Sequence, residues 1–595
     1  MKKLISVFVC ISIAIITIDP LGYYLSITLK HHMFIVFAPV LLLSAIWYQK
    51  KWIVGLIPFL FLIRIIWLGL TNPEWVTHPG NDSFFLYLNL LLVLFAASQL
   101  KLIDYGHLFF GSLYFIGIVE TIIGIWQLSI YVPNPTVPLK TAMVGTLGTS
   151  NGLGLLLVLS VISGSVLFKK ASEKWIHISI TAGLLFILLG IMLTESRGAV
   201  LALLVAGFLI GFILFYNAEN SVTQVIKRYK IATGVTALIL LIGVVYGLYT
   251  IDRASSEGRL MIWHISWDMF QEQPVTGVGH GNYAVKYLDY QADFLSEAEH
   301  VHLQDKAANL KQAHNEFFQA FAEGGIIGGI FFLLIWLLPF IYGLKYVLHA
   351  NQKDWKFIGV IGIHAAILTH SLVDSPLHVF PVTLIGYINF MMIPMPEWQI
   401  KLTSFWKKLL IIVLVIFTCL MAFRAKRLYS ARYALNQGLK FASQLEWEPA
   451  VIHYQLALNK FGKKGELEHY LGAAMVFNEQ YTKGIYYLNQ AKKDFNDRNI
   501  YLMESYANLK LKKYEEAEHL AKQALRMFPD HLAPHLLLGE IYYHLDEIEK
   551  SKSSLRKCIT METHIISHEV EQISRDAEAY WRNTYGENID RRSQN

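Results

Sequence analysis

Apolar runs long enough to cross a hydrocarbon core of roughly 30 Å recur up to residue 424, at about 4–18, 33–47, 52–70, 84–98, 108–130, 150–168, 176–194, 198–216, 231–250, 325–346, 355–371, 378–394 and 406–424. Several are shorter than the ~20 residues of a full span, so the pattern predicts an all-α polytopic membrane bundle of about 12–13 transmembrane helices. The first run follows Lys2 and Lys3 like a signal peptide. No small-residue cleavage site precedes Asp19-Pro20, and it reads as a retained helix.

Basic residues fall on alternate connections: Lys2/Lys3, Lys50/Lys51, Lys101, Lys169/Lys170/Lys174, Lys227/Arg228/Lys230 and Lys353/Lys356. Excess Lys and Arg mark cytoplasmic loops, which places Thr71–Asp82, Tyr131–Gly148 and the long segment 251–324 on the periplasmic or outer side. Arg424, Lys426 and Arg427 lie on that outer side and run against the scheme.

Beyond Phe423 the pattern becomes charged, helical and periodic. Trp447, Tyr481, Tyr514 and Ile548 are 34, 33 and 34 residues apart, and Ala457, Ala491, Ala524 and Cys558 repeat those intervals, as do Gly438, Gly472, Ser505 and Gly539. A 34-residue period with small residues at helix crossings is the tetratricopeptide signature. Residues 430–595 are therefore expected to form an α-solenoid whose groove holds a partner or polypeptide acceptor; a purely stabilising appendage is the alternative.

Composition narrows the class. Of 595 residues, 54% are hydrophobic and 16% charged, which excludes a soluble single-domain enzyme and a disordered scaffold. The net charge of +6 belongs to cytoplasmic loops, and nucleic acid is not an expected partner. Cys10, Cys419 and Cys558 are too far apart in sequence to suggest a disulfide framework or a cysteine metal site.

Segment 251–324 is the one long connection between membrane runs, and connections of that length are usually functional or disordered. It carries eleven acids against five bases. Gly258-Arg259-Leu-Met-Ile-Trp263 begins a helical pattern with Leu260, Trp263, Ile265, Trp267 and Phe270, expected on the membrane surface with Arg259 at its start. The glycines of Pro274 to Tyr283 allow tight turns near a ligand or the bilayer and are weak support for phosphate binding. His314-Asn315-Glu316 leads into Gly324-Gly325-Ile-Ile-Gly328-Gly329 at the next membrane helix, and Arg197 occupies a very short outer turn. A charge there is costly without a defined partner or ligand.

Arg197 with Leu201 resembles the Arg-x3-Leu motif of the O-antigen ligase family. His314-Asn315 followed by Gly325 and Gly328 is similar to its His-Asn motif nine residues ahead of Gly-x2-Gly, and Arg259 with Trp263 and the Pro274–Tyr283 turn look like its large periplasmic loop. His370-Ser371-Leu-Val-Asp374-Ser-Pro376-Leu, with the repeat tail, resembles the protein O-oligosaccharyltransferase branch. The resemblance covers about residues 140–395 plus the tail. It implies a bacterial inner-membrane enzyme, with site and tail extracytoplasmic, that moves a glycan from undecaprenyl diphosphate to an acceptor hydroxyl without metal or cofactor. The acceptor is a protein, a glycolipid or a growing polymer. The implied organisation is a membrane domain over 1–424 containing loop 251–324, then repeats over 430–595.

Residue chemistry points the same way. The leaving polyprenyl diphosphate gains negative charge, which the planar, permanently charged guanidinium groups of Arg197 and Arg259 suit. An attacking hydroxyl needs a base that titrates near neutral pH, as an imidazole does, and His314 is the favoured base with Asn315, His370 and Asp374 in support. Against these stand plainer roles: Arg197 reaching for lipid headgroups, Arg259 in a helix-end pair, His314 as a satisfied interfacial residue, and a structural His370–Asp374 hydrogen bond. His300-x-His302 with Glu297 and Glu299 reads as a solvated acidic loop rather than a metal site. Arg64 and Glu120 invite a mutual pair inside the membrane, Asp19 reads as a turn residue, and Thr149 to Gly152 reads as a polar helix start or cap. A non-catalytic transporter or assembly scaffold is the competing class, weakened by the lack of duplicated halves.

Overall fold

The computed structural model describes residues 52–74, 82–99, 106–131, 142–216, 249–349, 354–462 apart from 402, 464–560 and 568–586, with a few isolated positions between. The runs at 4–18 and 33–47 and most of 231–250, together with Asp19, the basic groups near residues 2, 50, 101 and 227, and Lys353, lie outside the described residues.

The other apolar runs form helices. Strand β1 (Trp52–Gly55) leads into α1 (Leu56–Thr71), followed by α2 (Asp82–Ser98), α3 (Gly106–Tyr131), α4 (Ser150–Lys170), α5 (Lys174–Leu193) and α6 (Arg197–Tyr216). After the loop come α9 (Glu316–His349), α10 (Trp355–Ser371), α11 (Phe380–Phe390), β2 (Glu397–Ile400) and α12 (Ser404–Ser443). Among the described residues, α3, α4, α5, α6, α9 and α12 are long and apolar enough to cross a membrane, and the chain is a multi-pass membrane protein. Of these six, α4 is the most enclosed, with 72% of its apolar stretch buried. Its Ser160 hydroxyl bonds the Leu113 carbonyl of α3 at 2.8 Å, the kind of small-residue contact that joins helices in lipid. Thr149 caps α4 by accepting from the Gly152 amide. At the end where α4 stops and α10 starts, Lys169 lies over the Trp355 ring. Strands β1 and β2 pair antiparallel, Trp52 opposite Ile400.

The loop folds into α7 (Arg253–Glu272), α8 (Tyr283–Ser296) and a 3-10 stretch (Ala298–Lys306). Helix α7 starts earlier than its apolar pattern suggests because Asp252 caps it, accepting from the Ser255 amide at 3.1 Å. Arg259 therefore stands in the second turn, where its side chain can reach across to a neighbouring segment. Met261, Ile265 and Met269 of α7 are buried with Tyr283, Tyr287 and Leu288 of α8, while Leu260 and Trp267 stay exposed.

Helix α9 is broken at Gly325 (φ 62°, ψ −165°), and the break is where the glycine-containing segment docks. The amides of Val278 and Gly279 donate to the Ala322 and Glu323 carbonyls at 2.9 and 3.1 Å, and the Ile326 amide donates to the Pro274 carbonyl at 2.8 Å. A Cβ on Gly325 would stand 2.1 Å from the Val275 carbonyl oxygen. The glycines thus serve backbone-to-backbone contact, satisfying amides and carbonyls that a broken helix leaves open.

Helix α12 continues without interruption from its apolar half into the repeats: α13 (Trp447–Phe461), α14 (Gly465–Phe477), α15 (Tyr481–Ala491), α16 (Arg498–Lys510), α17 (Tyr514–Met527), α18 (Leu532–His544), α19 (Ile548–Thr560) and α20 (His568–Tyr585). The small residues of the period sit at helix crossings, Gly438 against Tyr454, Gly472 against Leu488 and Gly539 against Leu555. The repeats pack on the loop. Val476, Tyr501, Ala521 and Phe528 share one apolar cluster with Met261, Tyr287 and Leu288, and the Asn496 amide bonds the Val285 carbonyl at 3.0 Å. Loop and repeats therefore occupy the same side of the bundle. The basic residues at this end of α12 have local partners: Arg424 stacks over Phe85 at 4.1 Å, and Arg427 donates to the Lys460 carbonyl.

Candidate functional site

Three helix ends and one short segment converge on the loop side. The α5–α6 turn is tight, with Glu195 at φ 52°, and the Ser196 hydroxyl donates to Asn151 at 2.9 Å. This fixes Arg197 as the first residue of α6. Its guanidinium donates to the Asp252 carbonyl (3.1 Å), to the hydroxyls of Ser256 (3.0 Å) and Ser255 (3.0 Å), and to the Asp252 carboxylate (3.4 Å). Its side chain is 18% exposed. Arg197 thus grips the capped start of α7, a defined set of partners that snorkelling to headgroups does not require.

One turn and a half along α7, Arg259 donates to the Val373 carbonyl at 2.6 Å. Burial lowers its pKa from the ordinary arginine value, with Asp374 opposing that shift and Arg197 adding to it. Arg197 and Arg259 line one open cavity, together with Leu201, Tyr249, Ser256 and Trp263. Val373 completes its wall.

The next residue, Asp374, accepts a 2.8 Å hydrogen bond from Nδ1 of His314. His314 stands at φ 48° just before α9, and its side chain is 34% exposed against 12% for Asp374. Burial acts to raise the Asp374 pKa, but the His314 hydrogen bond and the charges of His370, His314 and Arg259 outweigh it and hold the carboxyl well below the usual carboxylate range. An ionised carboxylate can only accept, so Nδ1 carries a proton toward Asp374, and in the neutral ring the lone pair is on Nε2. Asn315 caps α9 by accepting from the Phe317 and Phe318 amides, and its Nδ2 donates to the Leu372 carbonyl at 2.9 Å. Residues 372–374 are thus tied in succession by Asn315, Arg259 and His314.

His370 does not bond the Asp374 side chain. Its ring is fully buried, neither nitrogen has a hydrogen-bond partner among the described residues, and it packs where a side chain on Gly198 would meet it at 3.1 Å. Glu316 and Gln319, absent from the sequence-derived set, extend the grip on the same segment. Glu316 accepts from the Leu377 amide at 2.6 Å, and Gln319 contacts His378 at 3.2 Å. An acid in the first turn of a membrane helix is itself a signal, and Glu316 carried it.

Other charged groups are partnered away from the cavity. Arg64 lies over the Phe332 and Tyr87 rings at 5.1 and 5.8 Å, whereas Glu120 accepts from Thr146, so the expected mutual pair does not form. His280 meets Glu323 at 2.6 Å beside the break in α9. Glu297, Glu299 and His300 present ligand atoms within 4.8 Å of one another. His300 stacks on Phe294 at 3.7 Å, and His302 turns its Nδ1 to the Glu299 carbonyl.

Comparison with known proteins returns two families. The O-antigen ligase model matches residues 182–333, a stretch that includes Arg197, Arg259, His314, Gly325 and Gly328, and a tetratricopeptide repeat model matches residues 508–557. Tetratricopeptide repeat protein 21B of Homo sapiens is similar at 27% identity over 152 residues, 24% of this chain and 11% of that protein. Its Mus musculus counterpart is similar at 27% over 150 residues, with the same shares. The chain spans about a tenth of the length of these curated relatives. The resemblance drawn from the Arg197, Arg259 and His314 motifs and from the 34-residue period is met by both family matches.

Proposed function

From an O-antigen ligase segment joined to tetratricopeptide repeats in a multi-pass membrane protein, we propose an enzyme that transfers a glycan from undecaprenyl diphosphate to an acceptor hydroxyl on the extracytoplasmic face of the bacterial inner membrane. The observation that carries the reading is the arrangement around Val373: two guanidinium groups on one cavity wall, and the His314–Asp374 pair beginning at the adjoining residue.

In this mechanism Arg259, with one hydrogen bond to a backbone carbonyl, turns its remaining donors to the diphosphate. Arg197 exchanges its longest contact, to the Asp252 carboxylate, for a phosphate oxygen. Positive charge held where the leaving group develops negative charge lowers the barrier, and the reading calls for no metal ion. His314 Nε2 accepts the acceptor's hydroxyl proton as oxygen attacks the anomeric carbon and the sugar–phosphate bond breaks. Asp374 stabilises the imidazolium that forms. The repeats, lying on the same side as the cavity, favour a protein acceptor over a glycolipid or a growing polymer.

The test is turnover of lipid-linked oligosaccharide by purified protein in detergent, with mass spectrometry of peptide and glycolipid acceptors supplied together. Glycan on the peptide, lost on changing His314→Ala with membrane insertion intact, is the expected result. No transfer by the wild type, or undiminished transfer by the variant, overturns the reading.

A further inference from the structure

Stacked helical repeats are commonly read as sockets for other proteins, yet here part of the array already holds a segment of its own chain. Gln291 of α8 is fully buried and works in two directions. Its Nε2 donates to the Met527 carbonyl at the end of α17 at 2.9 Å, while its Oε1 accepts from the Ala308 amide at 3.1 Å. The next residue, Asn309, donates to Asp497, the residue that caps α16 by accepting from the Asn499 amide at 2.8 Å. Leu303, Ala307 and Leu310 pack into the apolar cluster shared by loop and repeats. The Ala313 amide is held by Gln319 at 3.0 Å, and His314 follows.

We infer that the repeat array is a positioning element of the site: it fixes residues 307–313 and, through them, the imidazole of His314. The catalytic half of this inference rests on the role proposed for His314; the placement of the segment does not. The lever is short, because Asn309 is five residues from His314, and displacement of a reacting group by about 1 Å can cost ~10²-fold in rate. Arg197 and Arg259 are held from the other side, through Asp252, Ser255, Ser256 and Val373, and meet the His314 contacts only at residues 373–374. Loosening the repeat contact should therefore slow the chemical step without weakening the hold on the lipid-linked donor.

The test uses the full chain in lipid nanodiscs. Gln291→Glu removes the donor to Met527 and keeps the acceptor for Ala308, and Asn309→Asp sets two carboxylates against each other at Asp497. The double variant Asn309→Asp/Asp497→Asn restores the bond with donor and acceptor exchanged. Hydrogen–deuterium exchange should rise about tenfold over residues 307–316 in each single variant, with α7 unchanged, and return in the double variant. kcat should fall about tenfold with the donor KM unchanged, and the double variant should recover it. Unchanged exchange over 307–316 in both single variants overturns the inference. So does a joint rise over α7 and 307–316, with kcat and KM moving together and no recovery on exchange. Recovered exchange in a protein whose wild type transfers no glycan upholds the positioning of the segment and removes the catalytic reading instead.

Discussion

Asp374 fixes the ring of His314 across sixty positions of sequence, through a 2.8 Å hydrogen bond to Nδ1. That bond decides which nitrogen is free to take a proton. Asp374→Asn keeps the size but replaces an obligate acceptor with a group that can present N–H to the ring and favour the other tautomer. Turnover of lipid-linked oligosaccharide should fall by about 10²-fold or more with the donor KM little changed. Steady-state kinetics of the purified variant checks this.

The same carboxylate gives a stability signature. Its folded pKa lies below the ordinary value, so its stabilising contribution is fully present above the unfolded carboxylate range. It is lost as pH falls from about 4 downward through the folded pKa. Thermal unfolding in detergent should show wild type losing stability over that acidic interval more steeply than Asp374→Asn. Parallel slopes would remove the linkage.

Arg259 holds the Val373 carbonyl and, in the proposed mechanism, takes the diphosphate. Arg259→Lys keeps one charge and loses the planar pair of donors, so kcat/KM should fall by about 10²-fold, and by about 10³-fold for Arg259→Ala. Arg197→Ala releases the start of α7 as well, and proteolysis near residues 252–256 should accelerate alongside the loss of activity.

Gly325→Ala places a methyl group 2.1 Å from the Val275 carbonyl oxygen at a φ of 62°. Overpacking and a left-handed backbone together should destabilise the loop by about 2–4 kcal/mol. Loss of amide protection at Val278 and Gly279, whose bonds cross the break, is the direct measurement.

Truncation after Ser443 uncovers apolar residues on the loop, including Tyr287 and Leu288. The expected outcome is loss of transfer to every acceptor, small glycolipids included, rather than selective loss of protein glycosylation. Acceptor choice is better probed by surface substitutions that leave Gln291 and Asn309 in place.

Much of the architecture was legible because hydropathy and a 34-residue period are local signals, and a charge such as Arg197 stands out at the edge of an apolar run. What the sequence concealed were partners set by tertiary contact. Spacing along the chain pairs Asp374 with His370, four residues away, whereas helix ends meeting in space pair it with His314. Arg64 and Glu120 looked complementary yet find rings and a threonine instead. The start of α7 is written in the Asp252 cap on Ser255, a pattern that apolar spacing does not register. The docking of repeats on the loop rests on Gln291 and Asn496, polar residues with no periodicity to announce them.

The bond from Gln291 to Met527 joins residues 236 positions apart. At roughly 5–20 residues per second during synthesis, the ribosome needs roughly 10–50 s to deliver the second after the first. A newly made α8 therefore waits uncovered while the last membrane helices insert, and the loop reaches its final form only after α17 has been translated and brought to the same side of the membrane. Nascent chains halted before Met527 should expose α8 to protease, a built-in delay between insertion and competence.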